Sequence, residues 1–246
     1  MFRYFAGVAT VCFVTRESAL ITRTSMIDVG AAYRDLRARI SLISRGLNAE
    51  QWERVVPHCP AWTVRQTLAH LSGIVDDAIN GNMTGVATDE WTDAQVAKRA
   101  TMAGPEIMDE WQTYGPFVDA RASEAGLSLG QLLFDAVNHE HDLRYALGEP
   151  GARDSDALWV ALHFVCTHMN PRLAGHGLAG LTIVVDGTRM TPSASVEVHG
   201  SLFDIVRASA SRRSLTQVQQ MHWVGDASQH FDKLYPFSPP ECDINE

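Results

Sequence analysis

Apolar positions recur at helical spacing through much of the first 150 residues. Val29, Ala32, Tyr33, Leu36, Ile40, Ile43 and Leu47 mark one face of a segment running from about Ile27 to Leu47. Val64, Thr67, Leu68, Leu71, Ile74, Val75 and Ile79 form a second stripe, over Val64 to about Asn80, with Thr63 placed to cap its start. A third helix is predicted over about Pro105 to Ala125. Pro105 suits its first turn, Gly115-Pro116 predicts a kink or interruption, and Gly126 closes it. The fourth opens at Ser128 or Gly130, carries Leu133, Phe134, Ala136, Val137, Leu143, Ala146 and Leu147, and stops at Gly148 with Pro150 beyond. Four amphipathic helices with short connections predict a four-helix bundle. Asn48 to Trp52 reads as a short helical turn between the first two, and Trp91 to Arg99 as another between the second and third.

The pattern changes after a Gly/Pro/Asp-rich joint at Gly148–Asp156, the expected hinge between domains. A fifth helix follows over Asp156–Leu173. Leu181–Val185 is β-branched and reads as a strand ending in the turn Asp186-Gly187, and Ser195–His199 alternates as a second strand. Helices are predicted over Leu202–Ala210 and Ser214–Val224. The fold class is therefore mainly α, with a smaller α+β domain behind the bundle. The expected divisions are an N-terminal extension at 1–25, the bundle at 26–150, the connecting helix and α+β domain at 151–237, and a Pro-rich, acidic tail at 238–246, expected to be disordered.

Residues 1–25 carry an early Arg and an apolar run from Tyr4 to Val14, which faintly resembles an export signal but lacks a small-residue cleavage site. The run is too short to cross a bilayer. The segment reads as a flexible or loosely packed extension, or one arising from a misassigned start ahead of Met26, with a cytoplasmic protein as the expectation.

Composition narrows the function classes. Of 246 residues, 46% are apolar and 20% charged, ordinary for a globular chain. Lys and Arg number 20 against 29 Asp and Glu, a net charge of −9, which argues against a nucleic-acid partner and against bulk attraction to phosphate surfaces. The cysteines, Cys12, Cys59, Cys166 and Cys242, are scattered with no C-x-x-C pair, so neither a thiolate zinc knuckle nor a dithiol redox site is indicated.

The chemistry concentrates in the fourth helix. Asp135 and His139 lie four apart, on one face, where a carboxylate oxygen and an imidazole nitrogen can close on one divalent metal. Asp142, three residues on, can fix the tautomer of His139. Glu140 and His141 sit about 100° and 200° round the helix from His139 and are read as non-ligands. His70, beside the apolar stripe of the second helix, is the best third ligand. The same residues have a plainer reading, with Asp135 and His139 a weak ion pair on a solvated face and His70 a hydrogen-bonded core histidine. Arg207, Arg212 and Arg213 form the basic cluster. Arg213 is the candidate for gripping a substrate carboxylate and Arg207 and Arg212 for a cofactor's polar groups, against the plainer reading of cations at a helix C-terminus. His163 and His168 lie five apart and point to different faces.

Three blocks carry a resemblance. Cys59-Pro60-Ala61-Trp62-Thr63-Val64-Arg65 with Leu68-Ala69-His70-Leu71 is similar to the N-terminal signature of the mycothiol-dependent maleylpyruvate isomerase family, part of the DinB/YfiT-like superfamily of metal-binding four-helix bundles. Asp135-x-x-x-His139-x-x-Asp142-Leu143, running to Gly148, resembles its second signature. Ser201-Leu202-Phe203-Asp204 to Arg212-Arg213-Ser214-x-x-Gln217, then Trp223-x-Gly225-Asp226, resembles its C-terminal block. The resemblance spans about Ile27 to Phe237.

It implies that His70, Asp135 and His139 hold a divalent metal, expected to be Zn2+, and that the C-terminal domain is sterol-carrier-like. It also implies a low-molecular-weight thiol cofactor, mycothiol. The family more often has Glu at position 135, so the shorter Asp135 requires its helix to sit closer to the ion. The function so implied is isomerisation or S-transfer on a small electrophilic substrate, with maleylpyruvate one candidate. The expected partners are that substrate and the thiol, without nucleic acid or membrane, in a monomer or homodimer. Two other classes share the fold and ligands: a non-catalytic metal or ligand binder with a regulatory or sequestering role, and a metal-dependent hydrolase.

Overall fold

The computed structural model describes residues 17–234 and 237–246. Its helices are α1 (Glu17–Ser25), α2 (Val29–Ser44), α3 (Ala49–Trp52), α4 (Val64–Asn80), α5 (Asp89–Lys98), α6 (Gly104–Ala125), α7 (Gly130–Leu147), α8 (Asp156–Gly175), α9 (Leu202–Ser209) and α10 (Leu215–Gln219). The strands are β1 (Val55–Val56), β2 (Cys59–Thr63), β3 (Leu181–Val185), β4 (Thr188–Arg189), β5 (Val196–Gly200) and β6 (His222–Val224).

The bundle is α2, α4, α6 and α7. α6 packs against α2 and α4, and α7 against α2 and α8. The apolar stripes meet as predicted. Tyr33, Leu36 and Ile40 from α2, Leu68 and Leu71 from α4, Ile107 and Trp111 from α6, and Leu133 and Leu143 from α7 are all fully buried. Each such aliphatic side chain contributes about 1.5–3 kcal/mol. The one polar atom on Trp111 is met, because its Nε1 donates to the Tyr33 hydroxyl at 3.2 Å.

Capping follows the sequence closely at α4. Thr63 accepts from the backbone N–H of Gln66, whose side chain returns to the N–H of Thr63. Gly81 ends the helix at φ +70°. α6 runs through Pro116 without the interruption that was one of the two outcomes expected there. The Gly115 position serves packing: a Cβ there would lie 2.2 Å from the Arg37 guanidinium, which is ion-paired to Asp119. Cys59–Thr63, which leads into α4, is the second strand of a small hairpin with Val55–Val56.

The C-terminal part is α+β, with sheet order β4-β3-β5-β6. Asp186 (φ +47°) and Gly187 (φ +75°) make the tight turn between β3 and β4. β5 pairs with β3 in parallel, Leu181 opposite Val196 through Val185 opposite Gly200. The single helix expected over Ser214–Val224 is two elements. Ser214 caps the short α10, and His222–Val224 pairs antiparallel with β5.

Two terminal expectations change. Most of the 1–25 extension lies outside the described residues, but its last nine residues form α1, which packs on α8 with Leu20 and Thr24 buried and Arg23 bonded to Asp156. The 238–246 tail lies against the molecule: Glu246 pairs with Arg207 and Arg213, and Asp243 with Ser214. Glu246, one of the acidic residues that suggested a solvated tail, is the partner of two arginines of the basic cluster. No described helix is long and apolar enough to cross a membrane.

Candidate metal centre

α7 is buried on more than its apolar face: Asn138, His139, Glu140, His141 and Asp142 are all at most 5% exposed. They face different neighbours as the helix turns, except that Asn138 and Asp142, four apart on one face, share Arg207. Glu140 accepts both guanidinium bonds from Arg39, at 2.7 Å each, and pairs with Arg144. His141 packs edge-on against Phe203, and burial, then Arg207, pushes its pKa down to about 3. Neither points at His70, as their helical angles required. Only Asp135 and His139 turn toward α4.

There they meet His70. His70 Nε2 lies 3.3 Å from Asp135 Oδ2, and His139 Nε2 lies 3.6 Å from Asp135 Oδ1. One donor atom from each of the three lies within 4.8 Å of the others, a separation one divalent ion can span. Burial would raise the Asp135 carboxyl, but His70 and His139 outweigh it and hold the pKa at about 2. Its Oδ2 is buried with no hydrogen-bond partner, which is costly for a carboxylate unless a cation meets it. Two nitrogen donors, one anionic oxygen and an orphaned buried acceptor fit a divalent metal.

Both histidines are oriented from behind. His70 Nδ1 lies 2.7 Å from Gln95 Oε1, and Gln95 Nε2 donates to Asp77 Oδ2 at 2.7 Å. Because the Asp77 carboxylate only accepts, the Gln95 amide must present its NH2 there and its oxygen to His70. Nδ1 of His70 therefore carries the proton, and its Nε2 lone pair faces Asp135. On the other side His139 Nδ1 faces Asp142 Oδ2 at 3.2 Å. Gln95 belongs to α5 in the connection between bundle helices. Its sequence neighbourhood shows little amphipathic pattern, and only the fold brings it to His70.

Cys59, His139 and Asp142 form a second group of donors within 4.8 Å. Its chemistry fits a metal poorly. Burial, then Asp142, pushes the Cys59 thiol up to about 12. Asp142 is committed to Arg207 Nη2 at 2.7 Å and Arg212 Nη2 at 2.9 Å, and these guanidinium groups hold its carboxyl well below the usual range against the opposing effect of burial.

The three arginines separate. Arg212 reaches the wall of a ≈ 620 Å³ cavity that also exposes His70, Asp135 and His139. Arg207 is fully buried, bonded to Asp142, Glu246 and the Asn138 carbonyl. Arg213 is not on the cavity wall. It donates to Glu246 at 2.5 Å and to Asp204 at 3.1 Å. Proximity in sequence to Arg212 made it a candidate, but consecutive residues at the end of α9 diverge, Arg212 toward Asp142 and Arg213 toward the tail. The cavity wall also includes His58, Trp62 and Trp91, none of which the sequence patterns marked as ligand-facing. Trp62 stacks at a tilt on both metal-site histidines, with ring centroids 5.1 Å and 5.8 Å away.

The family model of the mycothiol maleylpyruvate isomerase N-terminal domain matches residues 33–144, the stretch from within α2 through most of α7 that holds all three candidate metal ligands. The bundle is similar to that domain over this stretch. In overall shape the chain is similar to a solved histidine-to-alanine mutant of mycothiol-dependent maleylpyruvate isomerase, with a TM-score of 0.54 at 17% identity, covering 85% of this chain and 95% of that one. A second structure of mycothiol-dependent maleylpyruvate isomerase aligns with a TM-score of 0.47 at 19% identity over 81% of this chain and 92% of that one. No curated protein matches the sequence. At this identity the solved relative establishes the fold, a mycothiol maleylpyruvate isomerase-type bundle followed by an α+β domain.

Proposed function

We propose that the protein is a metal-dependent enzyme that uses a low-molecular-weight thiol, mycothiol by family, for isomerisation or S-transfer on a small electrophilic substrate. The observation that carries this reading is the convergence of His70, Asp135 and His139 on a large cavity, with each histidine held from behind by a buried partner. His70 Nε2, His139 Nε2 and an Asp135 oxygen would hold the ion, Zn2+ by the preference of this donor set. Three protein donors leave a coordination position open, the property that separates catalytic from structural zinc sites. When bound, the ion would supply positive charge to keep a thiol ionised near neutral pH.

The chain's own residues set the geometry around that charge. Gln95 and Asp77 keep the His70 lone pair toward the cavity. Asp142 orients His139 while its charge is balanced by Arg207 and Arg212. Trp62 covers both imidazoles. Cys59, neutral below about pH 12, is not the nucleophile of this reading, so the reacting sulfur comes from outside the chain.

The test is metal content, then turnover. Purified protein should carry close to one equivalent of zinc, His139→Ala should lose it while keeping its helical circular dichroism, and zinc-loaded protein should accelerate the reaction of mycothiol with an activated double bond. Protein that stays folded, takes up no zinc and does not accelerate the thiol reaction would overturn the reading. Turnover without added thiol would point to a hydrolase instead.

A further inference from the structure

The walls of the cavity are mainly apolar. Ile74 from α4, Met83 and Val86 from the following loop, Trp91 from α5, Phe117 from α6 and Leu132 from α7 all face it. Its ≈ 620 Å³ is far more than a four- or five-carbon diacid would fill. Cations are scarce. Among the described residues Arg121 and Arg212 are the only Lys or Arg side chains on the wall.

Neither is free to grip a buried carboxylate. Arg212 gives Nε and Nη2 to Asp142, Nη2 also to Cys59 Sγ, and Nη1 to the Ala210 carbonyl, so its fork is occupied and its charge met. The Arg121 side chain is 67% exposed, with Glu124 at 3.7 Å. Asp89 adds a negative charge to the same wall. A dianion entering this space could set one carboxylate against a bound metal, but the other would exchange its water for neutral donors such as Thr92, Ser128 and Gln131, with no unpaired cation to balance its charge. An uncharged molecule with an apolar body loses little on entry and gains contact with the aromatic and aliphatic walls.

We infer that the substrate of this cavity is an uncharged, largely apolar electrophile, of the size of an aromatic or unsaturated ester, and not a small dicarboxylate. The word electrophile rests on the proposed thiol chemistry, whereas the charge preference rests on the wall alone.

Two matched pairs test it. The first reads binding without turnover: N-phenyl-1-naphthylamine and 8-anilino-1-naphthalenesulfonate share a ring skeleton and differ by one sulfonate, and both fluoresce in apolar cavities. The neutral dye should bind metal-free and zinc-loaded protein at least about tenfold more tightly. Val86→Lys, on the exposed loop, should narrow or reverse that ratio. The second pair is dimethyl maleate and maleate with mycothiol and zinc-loaded protein. Addition of the thiol across the double bond, sulfur to one carbon and proton to the other, then rotation and loss of the same thiol, gives the trans isomer with nothing consumed. The enhancement over thiol alone should be at least about tenfold larger for the diester.

Equal or tighter binding of the sulfonate overturns the inference whatever the turnover, and so does a larger enhancement for maleate. Preference for the neutral dye with no turnover of either ester or diacid sustains the charge preference and overturns the thiol-enzyme reading.

Discussion

Gln95 Oε1 accepts from Nδ1 of His70 at 2.7 Å, and both groups are buried. A helix in the connection between α4 and α6 thus sets which nitrogen of a candidate metal-binding histidine is available. Gly73 makes the approach possible, since a Cβ there would lie 2.5 Å from the Cβ of Gln95. Removing the partner frees the ring to rotate and to take either tautomer. Gln95→Ala should therefore weaken zinc binding by about 10- to 100-fold, the usual effect of losing such a support. Competition with a chromophoric chelator measures it directly. An unchanged affinity would show that Gln95 only fills space.

Asp142 and Asp135 should fail in different ways. Asp142 is fully buried between Arg207, Arg212 and His139. Asp142→Ala strands the Arg212 guanidinium and leaves Arg207 with Glu246 as its one carboxylate, and should cost about 3–5 kcal/mol in denaturant unfolding. Asp135 is partly exposed and lies between two histidines. Asp135→Asn should abolish metal uptake with little loss of stability in the metal-free protein. Comparable stability losses in the two variants would contradict this division.

The same carboxylates fix how stability responds to acid. Asp142 and Glu246 are both held below their ordinary values: burial opposes this, but Arg212 and Arg207 outweigh it at Asp142, and His58 and Arg207 do so at Glu246. A group whose pKa is lower folded than unfolded contributes stability above its unfolded value, about 4 for these residues, and loses that contribution as pH falls toward its folded value. Unfolding free energy should be level in these terms above about pH 5 and fall steeply below about pH 4. Glu246→Gln should flatten part of that slope. A slope that Glu246→Gln leaves unchanged would remove the tail from the account.

Much of the bundle was legible in the sequence because its helices obey one period and end at Thr63, Gly81, Gly126 and Gly148. The meeting of the three candidate metal ligands was legible for a related reason: Asp135 and His139 need only helical geometry, and His70 lies beside a clear stripe. What was not legible depends on contacts between distant segments. Nothing local to Gln95 marks it as a partner of His70. The strand at His222–Val224 is too short to show alternation, and its pairing with β5 decides it. Arg213 looked like the substrate-gripping arginine, and the acidic tail looked solvated, because each is the explanation of the other: Glu246 takes Arg213. Pro116 suggested a kink or an interruption, and α6 continues through it.

That exchange makes a prediction for the arginines. Arg213 is held by Glu246 and Asp204, off the cavity wall. Arg213→Ala should lower thermal stability while leaving zinc affinity unchanged. Arg212→Ala should instead alter the site, because Asp142 loses one of its two cations and Cys59 loses the Nη2 contact at 3.3 Å. Its effect should appear in zinc affinity and in thiol-dependent turnover. A loss of turnover in Arg213→Ala at full stability would restore it to the site.

The last prediction concerns the cysteines. Cys59 stands on the cavity wall, 3.5 Å from Asp142 Oδ2, where an activated thiol would be well placed for chemistry. Its surroundings act against ionisation: burial and the neighbouring carboxylate push it up to about 12, and only the thiolate is a competent nucleophile. Burial alone does the same to Cys166, also up to about 12, while Cys242 is exposed. With iodoacetamide at neutral pH, mass spectrometry should therefore find Cys242 modified well before Cys59 and Cys166, which should react only on unfolding. Cys59→Ser should retain zinc and thiol-dependent turnover. Rapid alkylation of Cys59 in folded protein, with turnover lost in step, would move the nucleophile from an external thiol to the chain itself.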